Sequence, residues 1–128
     1  MKKLSTSKLK KKLDEIFSQY IRQKYADTNG YATCYTCGTR KHWKEMQNGH
    51  FVSRSQLATR FDEENVRVQC VGCNVFGRGK TTIFANKLES EKKGITIKLY
   101  KNAQAIIRYF PYEEKIEEYK KKIEELQR

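Results

Sequence analysis

Four cysteines, arranged as two C-x-x-C pairs, are the residues whose spacing most directly indicates chemistry. Cys34 and Cys37 form the first pair, Cys70 and Cys73 form the second, and the sequence has no other cysteine. Four thiolates can bind one tetrahedral Zn²⁺, and each C-x-x-C turn places two sulfurs on one side of the ion. The two pairs therefore predict a structural zinc site with a separate substructure folded between them.

Two disulfides or a redox-active C-x-x-C motif are the alternatives to zinc. Disulfide scaffolds are typical of secreted chains. The residues from Met1 to Leu4 lead into no apolar stretch of the kind that a signal peptide has. Because both pairs match the spacing of zinc knuckles, zinc is the favoured interpretation.

A strong positive charge is the second feature of the sequence. Over 128 residues, 27 Lys and Arg stand against 15 Asp and Glu, which gives a net charge of +12 spread along the chain. Such an excess attracts polyanions, so it predicts DNA as the partner. No apolar run approaches the roughly 20 residues that a membrane span needs, and we expect a single cytoplasmic domain with no membrane partner.

An amphipathic helix is predicted over residues 6–26, with Thr6 or Ser7 as the N-cap and a turn at 27–30 after it. Its apolar stripe follows the 3.6-residue period and needs a core to cover. The stripe consists of Leu9, Leu13, Ile16, Phe17 and Tyr20. We assign residues 1–30 to this basic N-terminal helix, packed on the core.

Another helix is predicted over residues 112–128, with Pro111 placed as a first-turn proline. Its apolar residues have a 3-4-3 spacing, which suits packing on the core of the same chain or on a second copy in a homodimer. They are Ile116, Tyr119, Ile123 and Leu126. Residues 96–128 are assigned to this C-terminal helical segment, although residues 95–110 mix both periods and favour a helix only after Lys101.

The region between these helices, residues 31–95, is predicted to mix short strands with helix. Alternating or β-prone residues predict strands at 43–46, 49–53 and 66–69, with a turn at Gln47 and Asn48. A helix can begin at Asn74, is interrupted by Gly77 and Gly79, and resumes over residues 81–93. The fold class is therefore α+β.

The order of these motifs resembles the ββα-metal (HNH-type) nucleases and, more closely, the NinG/Rap family of lambdoid phage recombination endonucleases. The resemblance covers about residues 13–95, and two C-x-x-C pairs around a histidine are also similar to phage T4 endonuclease VII. The matching segments are residues 17–22, Cys34-x-x-Cys37-Gly38, Gly49-His50-Phe51, Ser53-Arg54, 65–70, Cys73-Asn74 and Gly79.

The resemblance implies phosphodiester hydrolysis by a zinc-stabilised ββα-metal core flanked by helices. His50 would be the general base that activates water, and Asn74 would bind a catalytic Mg²⁺ or Mn²⁺. Asn65 would orient the loop between the strands. Arg54 is the candidate phosphate clamp of this catalytic set, because a guanidinium suits bidentate contact with phosphate oxygens.

Arg78 and Lys80 are two further candidate DNA contacts. The implied substrate is branched DNA, such as a Holliday junction or a D-loop, and the implied setting is the cytoplasm of a bacterial host carrying the phage or prophage. Two non-catalytic functions would also explain the positive charge and the zinc site. They are a zinc-knuckle DNA-binding module and an adaptor that recruits a recombination protein.

Gly49 is the position at which the chain departs from the commonest HNH pattern. Many HNH nucleases have an aspartate directly before the histidine as a second metal ligand, whereas the Serratia-type nucleases also have a glycine there. Residues that could supply or orient a water in its place are Asn48, Asp62, Glu63 and Glu64. The other histidine, His42, is expected to be exposed or stacked on Trp43.

We predict from the charge that affinity for DNA falls as salt rises. Lys and Arg that neutralise phosphates release counterions, so log affinity should fall linearly with log salt, with a slope of about −0.9 per duplex phosphate contacted. Fluorescence anisotropy of a labelled duplex, titrated at several salt concentrations with Ca²⁺ as the divalent ion, measures this slope. An affinity independent of salt would contradict the assignment of DNA as the partner.

Overall fold

The computed structural model of the protein describes residues 4–127, which form a mixed α+β fold of helices and two small antiparallel sheets. The helices are α1 (Thr6–Lys24), α2 (Leu57–Arg60), α3 (Thr81–Glu91), α4 (Ile95–Ala103) and α5 (Tyr112–Leu126). The strands are β1 (Tyr31–Thr33), β2 (Arg40–His42), β3 (Gln47–His50) and β4 (Val66–Gln69). The predictions made for Met1 to Lys3 and for a helix reaching Arg128 lie outside the described residues.

Helix α1 confirms the helix predicted near the N-terminus, and its apolar stripe is buried. Leu13, Phe17 and Ile21 are almost fully buried. The N-cap is Ser5 rather than Thr6 or Ser7, because the Ser5 hydroxyl accepts a hydrogen bond of 3.3 Å from the backbone N–H of Lys8. The helix therefore begins at Thr6, as its periodicity indicates.

The turn after α1 also follows the prediction. One carboxylate oxygen of Asp27 accepts hydrogen bonds from the backbone N–H groups of Asn29 and Tyr31, at 2.9 and 3.0 Å. Gly30 has a φ of +87°, a value that glycine adopts without steric cost. The turn leads directly into β1, so the chain reverses within a few residues and β1 pairs with β2.

The strand predictions around the histidine were partly wrong. Residues 43–45 form a short 3₁₀ helix instead of a strand, and Gln47 and Asn48 begin β3 instead of forming a turn. Strand β3 then ends at His50. The pairing explains the shift: β4 lies antiparallel to β3 with Gln47 opposite Gln69 and His50 opposite Val66, so the partner strand sets both boundaries.

The segment around Asn74 is helical, as predicted, but begins earlier, within the second cysteine pair. Residues from Gly72 to Phe76 form one wide π-helical turn, in which the N–H of Gly77 donates to the carbonyl of Gly72 at 2.7 Å. Helix α3 follows after a four-residue interruption and ends at Glu91, two residues before the predicted end.

Helix α4 corrects the prediction for residues 95–110, because it begins at Ile95 and ends at Ala103. Ile95 and Leu99 are buried on one face, whereas Ile97 is 62% exposed. Ile95, Ile97 and Leu99 alternate as in a strand, but Ile95 and Leu99 are also four residues apart and so share one face of a helix. Ile95 and Leu99 pack in one cluster with Phe84 and Leu88 of α3, and this packing favours the helix over the strand.

The apolar face of α5 packs on the core of the same chain. The Tyr119 ring lies 5.0 Å from that of Phe17 and 5.2 Å from that of Tyr20. Ile116 and Ile123 are buried with it, so of the two alternatives for this seam these residues pack on the core of their own chain. None of the helices described for residues 4–127 has the length and apolar character needed to cross a bilayer.

Candidate functional site

The four cysteines come together, although 32 residues separate the two pairs in the sequence. Their sulfurs all lie within 4.8 Å of one another, and none forms a disulfide. The Cys37 and Cys70 sulfurs are 3.7 Å apart. Two ligands of a tetrahedral zinc at about 2.3 Å would be about 3.8 Å apart. The cluster could therefore bind one zinc ion, with the first pair between β1 and β2 and the second directly after β4.

The thiols of the cluster differ in pKa because their surroundings differ. Burial, together with hydrogen bonds to the neighbouring thiols, raises the pKa of Cys73 to about 12. Burial also opposes ionisation of Cys34, but hydrogen bonds from the backbone and from the Thr36 hydroxyl outweigh it and lower the pKa of Cys34 to about 6. A bound cation would favour the thiolate at every position.

The Gln69 side chain links the cysteine cluster to the neighbouring strand and explains the glycine before the histidine. Its amide N–H groups donate to the Thr36 hydroxyl at 3.1 Å and to the carbonyl of Gly79 at 2.9 Å. Its carbon chain lies over Gly49, where an added Cβ would meet the Gln69 Oε1 at 2.0 Å. An aspartate or any other side chain at residue 49 would therefore require the Gln69 side chain to move.

The His50 imidazole is held in one tautomer. Its Nε2 lies 2.8 Å from the backbone carbonyl oxygen of Arg60. A carbonyl oxygen only accepts hydrogen bonds, so Nε2 carries the proton and Nδ1 keeps its lone pair. A histidine in this state can accept a proton at Nδ1.

The Arg60 carbonyl is itself positioned by an ion pair with α1. The Arg60 guanidinium donates two hydrogen bonds to the Asp14 carboxylate, at 2.9 and 2.5 Å, and a third to the carbonyl of Arg54. Both side chains of the pair are largely buried. This bidentate arrangement fixes α2 against α1, and with it the carbonyl that orients His50.

The surroundings of His50 also keep it neutral. Burial lowers the pKa of His50 below its usual value, and the positive charges of Arg54 and Arg60 lower it further. The hydrogen bond to the Arg60 carbonyl and the charge of Asp14 oppose this shift only in part. At neutral pH the imidazole is therefore uncharged and able to act as a base.

Asn74 and Asn48 line the same cleft as His50. The Asn74 amide N–H donates to the Gln47 Oε1 at 2.8 Å, which directs its own oxygen away from that bond. Asn48 Oδ1 is buried, and among the described residues it has no hydrogen-bond donor. Neutral oxygens are ligands that Mg²⁺ and Mn²⁺ accept, so each amide has a suitable donor type for a divalent cation.

Asn65 is buried and ties the two ends of the loop between β3 and β4. Its Oδ1 accepts a hydrogen bond from the Val52 N–H at 2.8 Å, and its Nδ2 donates to the carbonyls of Val52 and Thr59 at 3.0 and 3.1 Å. Both N–H groups of this amide donate hydrogen bonds, and its oxygen accepts one. Asn65 therefore lies in a position to orient the loop and has no free group for chemistry.

His50 and Asn74 line one polar cleft of about 790 Å³. Arg54 and Arg78 line it as well, and among the described residues neither guanidinium has an acidic or carbonyl partner. Lys80 is exposed and lies outside the lining residues. The cleft thus combines a neutral imidazole, amide oxygens and two unpaired guanidinium groups, a set that can bind a phosphodiester and accept a proton beside it.

The acids proposed to replace the missing aspartate lie elsewhere, which corrects that prediction. Glu63 accepts hydrogen bonds from Lys24, Lys122 and the Tyr119 hydroxyl, and so joins α1 to α5. Glu64 binds Lys92 and Lys98, and the Asp62 carboxylate caps the turn by accepting from the Glu64 N–H. Of the four candidates, only Asn48 lines the cleft.

His42 has a structural place outside the cleft, as the sequence suggested. Its Nδ1 accepts a hydrogen bond of 3.2 Å from the backbone N–H of Lys44, and its ring lies 5.8 Å from that of Trp43. An added Cβ on Gly30 would meet the imidazole, so the ring also fills the space over that turn.

A polar stripe on α1 was missed by the sequence reasoning. Asp14, Ser18 and Arg22 all line the cleft. They are spaced four residues apart, so they share one helix face beside the apolar stripe. Arg22 donates to the Ser18 hydroxyl at 3.1 Å and to the Trp43 carbonyl at 3.3 Å. Their i, i+4, i+8 spacing in the sequence could have indicated this polar face of α1.

Comparison with models of known protein families matches the whole chain, residues 1–128, to the family described as "Bacteriophage Lambda NinG protein". No curated protein and no solved structure matches the chain.

Loss of one cysteine ligand should remove the metal and unfold the cluster region. Metal affinity is folding free energy when the site forms only in the folded chain. We therefore expect Cys73→Ser to lose zinc and to melt at a markedly lower temperature, whereas Ser90→Ala, at an exposed serine on α3, keeps both. Elemental analysis and thermal unfolding by circular dichroism measure this. Soluble, folded wild-type protein without zinc would refute the assignment.

Proposed function

Because the chain belongs to the family of the bacteriophage lambda NinG protein, we propose that it is a metal-dependent DNA endonuclease of phage recombination. The observation that carries the proposal is the cleft in which His50, with a free Nδ1, lies together with Asn74 and two unpaired arginines. A protein that only binds DNA has no need for a neutral histidine whose tautomer is held by a backbone carbonyl. The zinc cluster then serves folding.

The order of the elements supports a ββα-metal core. Strand β3 ends at His50, β4 pairs with it in antiparallel register, and the helical turn that begins within the second cysteine pair contains Asn74. This is the sequence of strand, strand and helix in which HNH-type nucleases bring together a base and a metal ligand. We infer the core from this order together with the contents of the cleft.

His50 would remove the proton from the attacking water. Its Nδ1 is the acceptor, because Nε2 already donates to the Arg60 carbonyl. The proton that moves to Nδ1 creates an imidazolium, and the nearby Asp14 carboxylate favours that charge while Arg54 and Arg60 disfavour it. A base with a pKa somewhat below neutrality is available in its active form at physiological pH.

The oxygens of Asn74 and Asn48 would hold the catalytic divalent ion. Bound Mg²⁺ or Mn²⁺ would supply charge stabilisation at the phosphate and the leaving 3′-oxygen. Gln47 orients Asn74 through its amide N–H. Asn48 is the proposed second ligand because it is the candidate oxygen donor that lines the cleft, whereas Gln69 covers Gly49.

Arg54 and Arg78 would bind the oxygens of the scissile and adjacent phosphates, and Asn65 would keep the loop that carries Arg54 in place. The substrate we propose is branched DNA in the cytoplasm of the bacterial host. A homodimer that cuts two strands stays a prediction, and its interface would have to lie outside the buried seam of α5.

The two histidines provide a matched test of catalysis. His50→Ala should lower the rate of DNA cleavage about 10²–10⁴-fold, the usual contribution of a general base, while zinc content, melting temperature and DNA affinity stay near those of wild type. His42→Ala should leave the rate close to wild type. Single-turnover cleavage of a labelled four-way junction with Mg²⁺ or Mn²⁺ measures both.

Asn74→Ala should lower the rate and raise the concentration of divalent ion required for half-maximal cleavage. Cleavage that survives both His50→Ala and Asn74→Ala, yet is stopped by EDTA, would locate the chemistry elsewhere. Wild-type protein that binds junctions tightly but never cuts them, with either ion, would favour the zinc-knuckle binding module.

The rate of cleavage should rise with pH and level off below pH 7. Only the neutral imidazole accepts a proton, so the rate grows as pH increases through the pKa of His50, which burial and two arginines hold below the usual value of 6.5. Arg54→Ala removes one positive charge and should move the midpoint to higher pH, whereas Arg40→Ala, outside the cleft, should not. A wild-type midpoint above 6.5 would contradict this role of His50.

A further inference from the structure

Arg22 is a cation in the cleft that the fold leaves without a counter-charge. It lines the cleft from α1. Asp14 is the only acid among the described residues that line the cleft, and its carboxylate is bound by Arg60. None of the ion pairs formed within residues 4–127 includes Arg22. The charge of its guanidinium is therefore not neutralised by any side chain in the described part of the protein.

Burial makes this arrangement unfavourable for the protein alone. The Arg22 side chain is partly buried, burial lowers its pKa, and no carboxylate opposes that shift. A guanidinium nevertheless stays protonated at neutral pH. A cation that is removed from water without a counter-charge costs folding free energy. The position of Arg22 therefore favours an anion that a ligand supplies.

The Arg22 guanidinium is held in one orientation. Its Nε donates to the carbonyl and the hydroxyl of Ser18, at 3.2 and 3.1 Å, and its Nη1 donates to the Trp43 carbonyl at 3.3 Å. Its central carbon lies 5.2 Å from the centre of the Trp43 ring. A guanidinium has five N–H groups. The second N–H of Nη1 and both of Nη2 have no acceptor among the described residues, so a fixed pair of nitrogens is available to an anion.

Arg22 and His50 lie towards opposite ends of the cleft. Asp14 of α1 binds Arg60, whose carbonyl contacts His50, the last residue of β3. Arg22 follows Asp14 by two helical turns, about 12 Å along the helix axis. It contacts the carbonyl of Trp43, a residue that precedes β3. The length of β3 itself is about 10 Å. Arg22 is therefore placed to bind a phosphate other than the one beside His50.

A DNA strand is the anion that matches this row of cations. Arg54 and Arg78 line the same cleft and also have no acidic partner among the described residues. Guanidinium groups suit bidentate contact with phosphate oxygens, and a nucleic-acid strand presents one phosphate charge after another. A single small anion would neutralise one arginine and leave the others, whereas successive phosphates can neutralise all three.

Building on the proposed function, we propose that Arg22 is a phosphate-binding residue that holds the DNA strand at the end of the cleft remote from His50. Its Nη1 and Nη2 groups donate to the oxygens of a phosphate that is not the scissile one, while Ser18 and Trp43 keep the guanidinium in position. The contact is the same before and during cleavage. It therefore contributes to binding of the DNA and not to the rate of the chemical step.

Binding measured without cleavage tests the contact. Wild type and variants are titrated against a labelled four-way junction at several salt concentrations, with Ca²⁺ as the divalent ion. Arg22→Gln should lower affinity about ten-fold, because one charge-assisted contact is lost. The slope of log affinity against log salt should become shallower by about 0.9, the change expected for one duplex phosphate fewer. Single-turnover cleavage at saturating protein with Mg²⁺ should stay near the wild-type rate.

Two further variants make the comparison specific. Arg108→Gln removes the same charge from an exposed arginine on the segment between α4 and α5, which borders a different cavity, and should leave affinity and salt slope near wild type. Arg22→Lys keeps the charge but lacks the planar pair of donors, so affinity should fall several-fold while the salt slope stays. Zinc content and melting temperature identify folded variants. If Arg22→Gln does not fold, Arg22→Lys is used in its place.

A junction with one neutral methylphosphonate linkage locates the phosphate. The linkage is moved in turn through the strands around the branch point, and each junction is titrated with wild type and Arg22→Gln. At one position the two changes should be non-additive: the methylphosphonate weakens binding of wild type but not of the variant, because both remove the same contact. That position should differ from the linkage that wild type cuts with Mg²⁺ or Mn²⁺.

Three results would overturn the role of Arg22: affinity and salt slope unchanged in Arg22→Gln, an equal loss in Arg108→Gln, or additive effects at every linkage. Non-additivity at the scissile linkage would refute the placement remote from His50. The nuclease proposal is tested separately by cleavage. A wild type that binds through Arg22 but never cuts would support the contact and refute the nuclease. Cleavage by a wild type whose affinity does not depend on Arg22 would do the reverse.

Discussion

The convergence of the four cysteines is the constraint on which the arrangement of the cleft depends. Their sulfurs lie within 4.8 Å of one another, with the first pair between β1 and β2 and the second directly after β4. A zinc ion bound by these sulfurs would join the two pairs and contribute folding free energy. The helical turn that carries Asn74 begins within the second pair, at Gly72.

The N-terminal helix is part of the cleft as well as part of the core. One face of α1 buries Phe17 against Tyr119 of α5. On an adjacent face, Asp14 binds Arg60, whose backbone carbonyl orients His50. Packing of α1 and the tautomer of His50 are therefore linked, and a disturbance of the helix would reach the imidazole through one ion pair and one hydrogen bond.

Local patterns were enough to predict α1, β4 and α5, because the period of apolar residues in each agrees with the face that is buried. They failed for β3 and α4. Gln47 and Asn48 have turn-forming neighbours, yet they form a strand because Val68 and Gln69 lie beside them. Residues 95–99 fit both periods, and contacts with α3 select the helix.

The sequence by itself indicated the four cysteines as possible metal ligands, because two C-x-x-C pairs have the spacing of zinc knuckles. The resemblance of its motifs to those of HNH-type nucleases indicated His50 and Asn74 as the candidate base and metal ligand. Only the tertiary structure decided that Gln69 fills the space over Gly49 and that Nδ1 of His50 is the free nitrogen. The reason is physical: both depend on atoms of β4 or α2 that lie 10 or more residues away, and no local pattern records such contacts.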